Sequence, residues 1–374
     1  MLRADHDILP QTTHDECARL EFVKTLRAHL SGKVMPGNYA IYETRVEPTI
    51  REVTGASPKD SAQIRKVMEQ HPYYQFWSAL QRRSQELMWD SAIDTTERQL
   101  PELIDKFRSY RSGDRVLQGS LCLNPDLQVP RYHTVHDIHI QPGGYHTEQA
   151  PADDVAAGAI FETGIQAYGW GLNLGELLLG FMRSNWPNFV PGRILDVGCT
   201  VGSSTVPWAQ AFLGAEVCAI DVAAPVLRYA HARAEALGAP IHFSQQDAEA
   251  TDFESGSFDM VVSHITLHET SRKALPRIFA ECRRLLRPGG LMLHFEIPRG
   301  STPIEQFMHE WESYNNNESF ARFMTHIDLC AIAEKGGWKA DEVRDALIVP
   351  DMPGAKKNYT RGDVSFKVLV GEHD

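Results

Sequence analysis

Long apolar runs, paired cysteines and an excess of basic side chains are all missing from this sequence of 374 residues. No apolar stretch approaches the about 18–20 residues that a membrane-spanning helix needs, and the N-terminus lacks the basic start and apolar core of a signal peptide. The six cysteines are scattered without a CxxC pair, which favours reduced thiols in the cytoplasm over a disulfide framework or a zinc site. With 37 basic against 49 acidic side chains, the net charge of -12 disfavours nucleic acid as the main partner.

What remains is the composition of an ordinary globular protein, with 43% hydrophobic and 23% charged residues. The first part of the chain is predicted to be helical, because apolar residues recur at helical spacing over residues 17–30 and 61–88. His71-Pro72 is expected to break the second stretch in two. This part is rich in aromatic side chains, which fill a helical core on one interpretation and line a substrate pocket on another.

Residues 113–150 have a different pattern, with β-prone stretches at 116–123 and 132–140 and a turn signal at 141–145. Four histidines fall here, namely His133, His136, His139 and His146. Strand alternation would place His133 and His139 on one face and His136 on the other, and no cysteine or close carboxylate pair completes a ligand set. We therefore interpret them as structural or substrate-pocket histidines and predict no metal site.

From residue 190 onward, predicted strands and helices alternate. The strands are 193–197, 217–220, 241–244, 260–263 and 291–297, and the helices are 203–212, 225–237 and 271–286. This alternation is typical of an α/β fold in which helices cover both faces of a parallel sheet. Right-handed crossovers make it an open, doubly wound sheet, in which ligands bind outside the carboxyl ends of the strands.

The stretch ILDVGCTVGSST (residues 194–205) carries the central signal. A buried strand runs into Asp196, and Gly198 and Gly202 then form a tight turn into a helix, where glycine allows a ligand to approach the backbone closely. A dinucleotide fingerprint would need glycine in place of Thr200 and Ser203, and no Gly-Lys-Ser/Thr follows for a phosphate loop. The turn therefore matches neither of these nucleotide motifs.

Further polar residues follow the next strands in order. Asp221 ends the second strand, about 20 residues after the glycine turn, where a carboxylate can bind both hydroxyls of a ribose. Gln246-Asp247-Ala248 follows the third strand, and the stretches 257–263 and 286–291 belong to the fourth and fifth strands.

This ordered series resembles the class I S-adenosylmethionine (SAM)-dependent methyltransferases, nearest to the small-molecule group that includes the ubiquinone and menaquinone biosynthesis type. The resemblance covers residues 165–345 and implies a Rossmann-like, mostly parallel sheet of seven strands. An antiparallel pair, predicted at 338–349 and 364–370, would close that sheet after a helix at 327–335. The family usually has glycine where Thr200 stands, so the turn must differ slightly.

The same resemblance implies SAM as cofactor and S-adenosylhomocysteine as product. It assigns the cofactor contacts to Asp196, Gly198, Cys199 and Gly202 along the methionine part, Asp221 at the ribose, Asp247 and Ala248 at the adenine, and His264. The segment 141–145, with the glycine- and tyrosine-containing helix near Tyr168, also resembles the segment through which ligands reach the site in some such enzymes.

Methyl transfer from a sulfonium is a direct displacement that depends mainly on alignment, and a base is needed only if the nucleophile starts protonated. Candidates for catalysis follow the fourth strand or lie near the end of the fifth, namely His264, His268 and Glu296. His294 shares a strand face with Glu296 and is a further candidate. The expected substrate contacts are Tyr168, His268, Glu269, Trp311 and Tyr314. For each lone histidine or glutamate, the alternative is a satisfied structural group.

Residues 299–322, which we call the insertion, exceed the connection that the family's basic fold needs. We predict a lid or acceptor wall there, with a solvated surface helix as the alternative. Residues 1–150 are expected to form a mainly helical region for acceptor recognition or oligomerisation, and residues 151–374 a SAM-binding methyltransferase domain.

The predicted function is therefore SAM-dependent methyl transfer to an oxygen, nitrogen or sulfur nucleophile of a small molecule. A SAM-binding regulatory or scaffold protein without methyl transfer is the alternative, and Thr200 with Ser203 disfavours a dinucleotide oxidoreductase. We expect a small-molecule partner, no nucleic acid and no membrane, and leave a homodimer open.

Overall fold

The computed structural model describes residues 5–111, 116–168, 173–297, 300–324, 326–349 and 366–374. Its strands are β1 (Ser120–Cys122), β2 (Arg193–Val197), β3 (Glu216–Asp221), β4 (Ile241–Gln245), β5 (Phe258–His264), β6 (Leu286–Glu296), β7 (Val343–Ile348) and β8 (Phe366–Glu372). They form one sheet in the order β1-β4-β3-β2-β5-β6-β8-β7. Neighbours from β1 to β6 pair in parallel, whereas β8 runs antiparallel to both β6 and β7.

This topology confirms the predicted doubly wound, mostly parallel α/β sheet with its closing antiparallel pair. The described strands number eight rather than seven, because the short β1 from the N-terminal part pairs with the edge of β4. Only three residues of the β-prone stretch 116–123 form that strand.

The N-terminal part is helical as predicted. The helices of the chain are α1 (His14–His29), α2 (Pro36–Ile41), α3 (Glu47–Thr54), α4 (Ser61–Met68), α5 (Pro72–Glu97), α6 (Leu100–Ser109), α7 (Arg131–Thr134), α8 (Ala156–Ile165), α9 (Leu174–Asn185), α10 (Val206–Ala211), α11 (Ala224–Ala236), α12 (Leu275–Leu285), α13 (Pro303–Asn315), α14 (Ala321–Met324) and α15 (Leu329–Lys335). The predicted break lies where expected, since His71 caps α5 and Pro72 is its first residue. Proline is tolerated there because the N–H group of the first helical residue has no partner within the helix. No described helix is both long and apolar enough to cross a membrane.

Two apolar layers cover the sheet. One face packs against α9, α10 and α11, and the other against α12 and α15. The strands β2 and β5 are buried along nearly their whole length, as expected for central parallel strands covered on both sides. This packing holds the carboxyl ends of the parallel strands at one edge of the sheet.

The N-terminal helices pack on the outside of this core. Helix α6 contacts α11 through Leu103 and Phe107, and α5 contacts α8 through Met88 and Trp89. Helix α13 of the insertion packs against α4 and α5, so the insertion and the N-terminal helices share one apolar cluster. The insertion is therefore not the solvated surface helix of the alternative interpretation.

The strand predicted at 132–140 is wrong. Residues there form α7 and a 3-10 turn at Ile138–Ile140. The carbonyl of His139 accepts hydrogen bonds from Gln85 Nε2 (2.8 Å) and Trp89 Nε1 (2.7 Å), and His139 has a left-handed φ of 56°. These contacts with α5 override the local β preference, so the face assignment of the histidines by strand alternation also fails.

Candidate active site

The glycine turn follows β2 at the carboxyl edge of the sheet. Gly198 and Gly202 have φ values of +72° and +70°, which other residues rarely adopt. A Cβ on Gly198 would lie 2.3 Å from Cγ2 of Thr266. Glycine is thus required at 198 by its backbone and by a neighbouring side chain, as well as by any ligand that approaches the turn.

Thr200 and Asp221 join the first two strand ends. Thr200 has a left-handed φ of 47°, and its N–H donates to Asp221 Oδ2 at 3.0 Å. The N–H of Ala223 donates to the other carboxylate oxygen, also at 3.0 Å. Burial raises the pKa of Asp221, whereas the charge of His133 and the hydrogen bonds from the two N–H groups lower it. The carboxylate is held at the strand end with lone pairs left for two hydroxyl groups, which fits a ribose.

Asp196 and His264 lie beneath the turn. Asp196 Oδ2 accepts from the Thr205 hydroxyl at 2.6 Å, and its Oδ1 lies 3.4 Å from His264 Nδ1. The two side chains are only 1% and 4% exposed. Asp196 therefore supports the turn from inside, and the Nε2 of His264 has no hydrogen-bond partner among the described residues. Cys199 is also buried, and burial raises the pKa of its thiol well above the usual range.

Asp247 and Ala248 lie at the end of β4, as expected. The Asp247 carboxylate accepts from Glu249 N–H at 2.9 Å, and burial raises its pKa. Tyr132 packs against the same apolar cluster as Ala248. Burial, followed by the charges of Asp247 and Glu249, raises the pKa of its phenol. Sequence reasoning missed Tyr132, since it was assigned to a strand that does not form.

His268 and Glu296 form a buried pair at the ends of β5 and β6. Glu296 accepts from the Leu267 N–H at 2.7 Å and lies 2.9 Å from His268 Nδ1 through its second oxygen. Burial opposes a charge on His268, but the hydrogen bond and charge of Glu296, together with the charges of Glu318 and Glu269, outweigh it and raise the pKa of the imidazole to about 9. At neutral pH His268 therefore holds its proton and acts as a hydrogen-bond donor rather than as a base.

His139 bridges two parts of the molecule. Its Nε2 lies 3.2 Å from Glu269, which follows β5, and its Nδ1 lies 2.8 Å from Glu318, which follows α13. Burial would raise the pKa of Glu269, but the hydrogen bond and charge of His139 lower it. Sequence reasoning named Glu269 but found no role for Glu318, because only the fold brings these residues together.

His294 lies apart from this group, on the face of β6 that packs under α12. Its Nδ1 is 2.6 Å from the Ser263 hydroxyl, and burial lowers the pKa of the imidazole to about 3. His294 is a neutral structural group, so the alternative interpretation holds for it.

Two predicted substrate residues, Trp311 and Tyr314, are not brought into the group, and a third cannot be placed by its side chain. Trp311 packs on Trp77 with ring centroids 4.1 Å apart, and its Nε1 donates to Ser78 Oγ at 2.7 Å. Tyr314 is 78% exposed. Tyr168 ends a 3-10 turn, and its side chain lies outside the described residues. Substrate contact by these three stays a prediction.

The described histidine, cysteine and carboxylate side chains include no group of three or more arranged to hold a metal ion. The geometry instead joins two features at one sheet edge. One is a glycine turn with a ribose-type carboxylate, and the other is a buried group of histidines and glutamates. The first can hold a nucleoside ligand and the second can bind or orient polar groups.

Comparison with known proteins bears on the first feature. The family model for a methyltransferase domain matches residues 194–290, from β2 into β6. The chain is 27% identical over 186 residues to malonyl-[acyl-carrier protein] O-methyltransferase of Pseudescherichia vulneris, covering 49% of this chain and 69% of that protein. It is 31% identical over 172 residues to ubiquinone biosynthesis O-methyltransferase of Methylocella silvestris, covering 39% and 64% respectively.

A third relative is demethylmenaquinone methyltransferase of Thermus thermophilus, 34% identical over 110 residues, which covers 29% of this chain and 48% of that protein. The chain thus spans between 48% and 69% of the length of these three relatives. The residues that match the family model, 194–290, include the glycine turn, Asp221, Asp247 and His268.

Proposed function

We propose that this chain is a class I SAM-dependent methyltransferase that transfers the methyl group of SAM to a small molecule held between the sheet edge and the insertion. The observation that carries the proposal is that the glycine turn with Asp221 and the His139–His268–glutamate group lie at the same edge of the sheet. A cofactor in the turn and an acceptor at the polar group would then be neighbours.

The cofactor residues have distinct tasks in this proposal. Asp221 binds the ribose hydroxyls through the lone pairs that Thr200 and Ala223 leave free. Gly198 and Gly202 let the cofactor lie along the backbone of the turn. Asp247 and Ala248 face the adenine. The cofactor supplies an electrophilic methyl group, and the chain contributes alignment, which is worth up to ~7–11 kcal/mol in favourable cases.

The acceptor side has its own residues. The His268–Glu296 pair donates a hydrogen bond to the acceptor and fixes its position, and His264 lies close enough to the turn to contact the cofactor. Because both imidazole and carboxylate are buried, their geometry is fixed before the acceptor binds.

Residues 1–150 and the insertion form the acceptor side together. Glu310 of α13 contacts two residues of α4: it accepts a hydrogen bond from Ser61 Oγ at 2.8 Å and forms an ion pair with Arg65. The Trp77–Trp311 ring contact adds apolar packing between α5 and α13. An acceptor site built from both segments would close the space above the cofactor and exclude water. The net charge of -12 supports a small molecule rather than nucleic acid as the acceptor.

Turnover of SAM tests the proposal. The full chain is incubated with SAM and pooled cellular metabolites, and S-adenosylhomocysteine and methylated products are measured by mass spectrometry. We expect product formation that needs both SAM and the pool, and its loss in Asp221→Ala. Binding of SAM without product from any pool would favour a regulatory SAM-binding protein instead.

A further inference from the structure

We propose that His133 binds the ribose of SAM, as part of a segment that covers the cofactor. The segment, which we call the cover, is residues 131–146 and comprises α7, the 3-10 turn Ile138–Ile140 and a turn at 142–146. This inference rests on the proposed function. It adds a cofactor contact and a role for a segment that belongs to neither the sheet nor the insertion.

The cover packs on the ends of two neighbouring strands. Its residues Ile138 and Tyr145 share an apolar cluster with Ala223, which follows β3. The N–H of Ala223 is one of the two donors to the ribose-type carboxylate at that strand end. Tyr132 of the cover packs against the same cluster as Ala248, which follows β4. The cover therefore lies at the end of the sheet where the polar residues of the glycine turn and the next strands are found.

A polar contact links the cover to a third strand end. His139 Nε2 lies 3.2 Å from the carboxylate of Glu269, which follows β5. In the sheet, β2 lies between β3 and β5. Because Ile138 contacts the residue that follows β3 and the adjacent His139 contacts the one that follows β5, the cover crosses the carboxyl end of β2. The glycine turn begins there, so the cover borders the space in which the proposed function places the cofactor.

His133 brings an unpartnered polar atom into this segment. The residue is 9% exposed, and its Nε2 has no hydrogen-bond partner among the described residues. Its ring packs beside two others of the cover, with centroids 5.8 Å from Tyr145 and 5.9 Å from His146. By contrast, both ring nitrogens of His139 lie within 3.2 Å of a carboxylate oxygen. A buried ring nitrogen without a partner is unfavourable, and a ligand that bonds to it removes that cost.

The neighbours of His133 indicate which part of the cofactor it meets. Its ring contacts Tyr145, and Tyr145 packs in the cluster of Ala223, whose N–H donates to Asp221. Burial raises the pKa of Asp221, and among the groups that lower it the charge of His133 comes first, which agrees with this placement. A ribose hydroxyl that donates to Asp221 still has lone pairs on its oxygen, and these can accept from Nε2–H of His133. Carboxylate and imidazole then bind the same hydroxyl pair as acceptor and donor.

Three variants separate the nitrogen of His133 from its ring. His133→Phe keeps an aromatic ring beside Tyr145 and removes the nitrogen. His133→Gln removes the ring but can place an amide N–H near the position of Nε2. His14→Phe makes the same aromatic substitution at a side chain that is 95% exposed, and serves as control. Each full chain is titrated with S-adenosylhomocysteine by calorimetry, and thermal unfolding without ligand checks that it is folded.

We expect His133→Phe to bind S-adenosylhomocysteine about three- to tenfold more weakly than the unchanged chain, because one hydrogen bond is lost. His133→Gln should recover part of that loss, and His14→Phe should bind as the unchanged chain does. Full affinity in His133→Phe, or no recovery in His133→Gln, would overturn the inference. Failure of the unchanged chain to bind S-adenosylhomocysteine would instead reject the proposed function.

Ribose analogues locate the contact. Adenosine and 2′,3′-dideoxyadenosine are titrated into the unchanged chain and His133→Phe, with binding followed by ligand-detected NMR. The variant should bind adenosine more weakly, but the two chains should bind the dideoxy analogue equally, since the hydroxyl groups that His133 contacts are gone. A defect of equal size with both nucleosides would reject the ribose contact.

A measurement on the unchanged chain depends on no variant. Nitrogen-15 NMR of the imidazoles should show a shift of His133 Nε2 when adenosine binds, and a much smaller shift with the dideoxy analogue. An Nε2 resonance that stays in place in the adenosine-saturated chain would contradict the assignment.

Discussion

The glycine turn and the insertion are held in place by different kinds of contact. In the turn, the polar contacts join residues that are close in sequence. Thr205 and Asp196 are 9 positions apart, and Thr200 and Asp221 are 21 positions apart. At the insertion, the contacts that hold α13 in place join residues 233 and 249 positions apart. The turn is therefore a local motif, whereas the position of the insertion is a product of tertiary packing.

Trp311→Ala should have the largest effect on the second region. The side chain is 7% exposed and packs on Trp77, so its loss leaves a cavity that costs ~3–5 kcal/mol of unfolding free energy. Urea denaturation measures this loss. Hydrogen exchange should show α13 losing protection while β2 and β5 keep theirs. Tyr314→Ala, at an exposed position of the same helix, should cost no more than ~0.5 kcal/mol. Equal loss of protection in β2 would contradict the separation of the two regions.

Gly198→Val should be nearly as damaging, but in the turn. The positive φ costs ~1–2 kcal/mol for a residue with a Cβ. Overlap with Thr266 adds ~1–3 kcal/mol. Thermal or urea unfolding measures the sum. Gly214→Val provides the control, because a Cβ there meets nothing within 4 Å. If the two variants were equally stable, the turn would not need glycine at 198.

Asp221→Ala should weaken SAM binding by ~1.5–3 kcal/mol, the range for lost charge-assisted hydrogen bonds. It also removes the acceptor for the N–H groups of Thr200 and Ala223, which loosens the turn. Calorimetry with SAM measures the change, and Asp252→Ala, at an exposed carboxylate, is the control. Unchanged affinity in a folded Asp221→Ala chain would reject the ribose role.

Titration of His268 is expected to have the smallest effect on folding stability at neutral pH. Its pKa is about 9 in the folded chain against an ordinary value of 6.5, so the charged form favours folding. This contribution is complete below pH 6.5 and is lost as pH rises toward 9. NMR of the imidazole protons measures the pKa, and Glu296→Gln should lower it. An imidazole that titrates near its ordinary value would show that the pair with Glu296 is weak.

Local patterns were enough to place much of the sheet. The predicted bounds of β2 match the structure, and Asp221 and Asp247 lie at the strand ends where the spacing placed them. Helices α12 and α15 begin later than predicted, at Leu275 and Leu329, because turns precede them. A buried parallel strand has a continuous apolar run and a helix has a 3.6-residue period, so both can be recognised within a short window.

The sequence by itself thus determined the parallel sheet and the glycine turn, and with them the resemblance to SAM-dependent methyltransferases. Only the tertiary structure decided that 132–140 is not a strand and that His139 bridges Glu269 and Glu318. No periodicity encodes such contacts, because each depends on where α5 and α13 pack relative to the sheet. Their partners lie far apart in the chain, and the geometry that joins them exists only once the apolar clusters have formed.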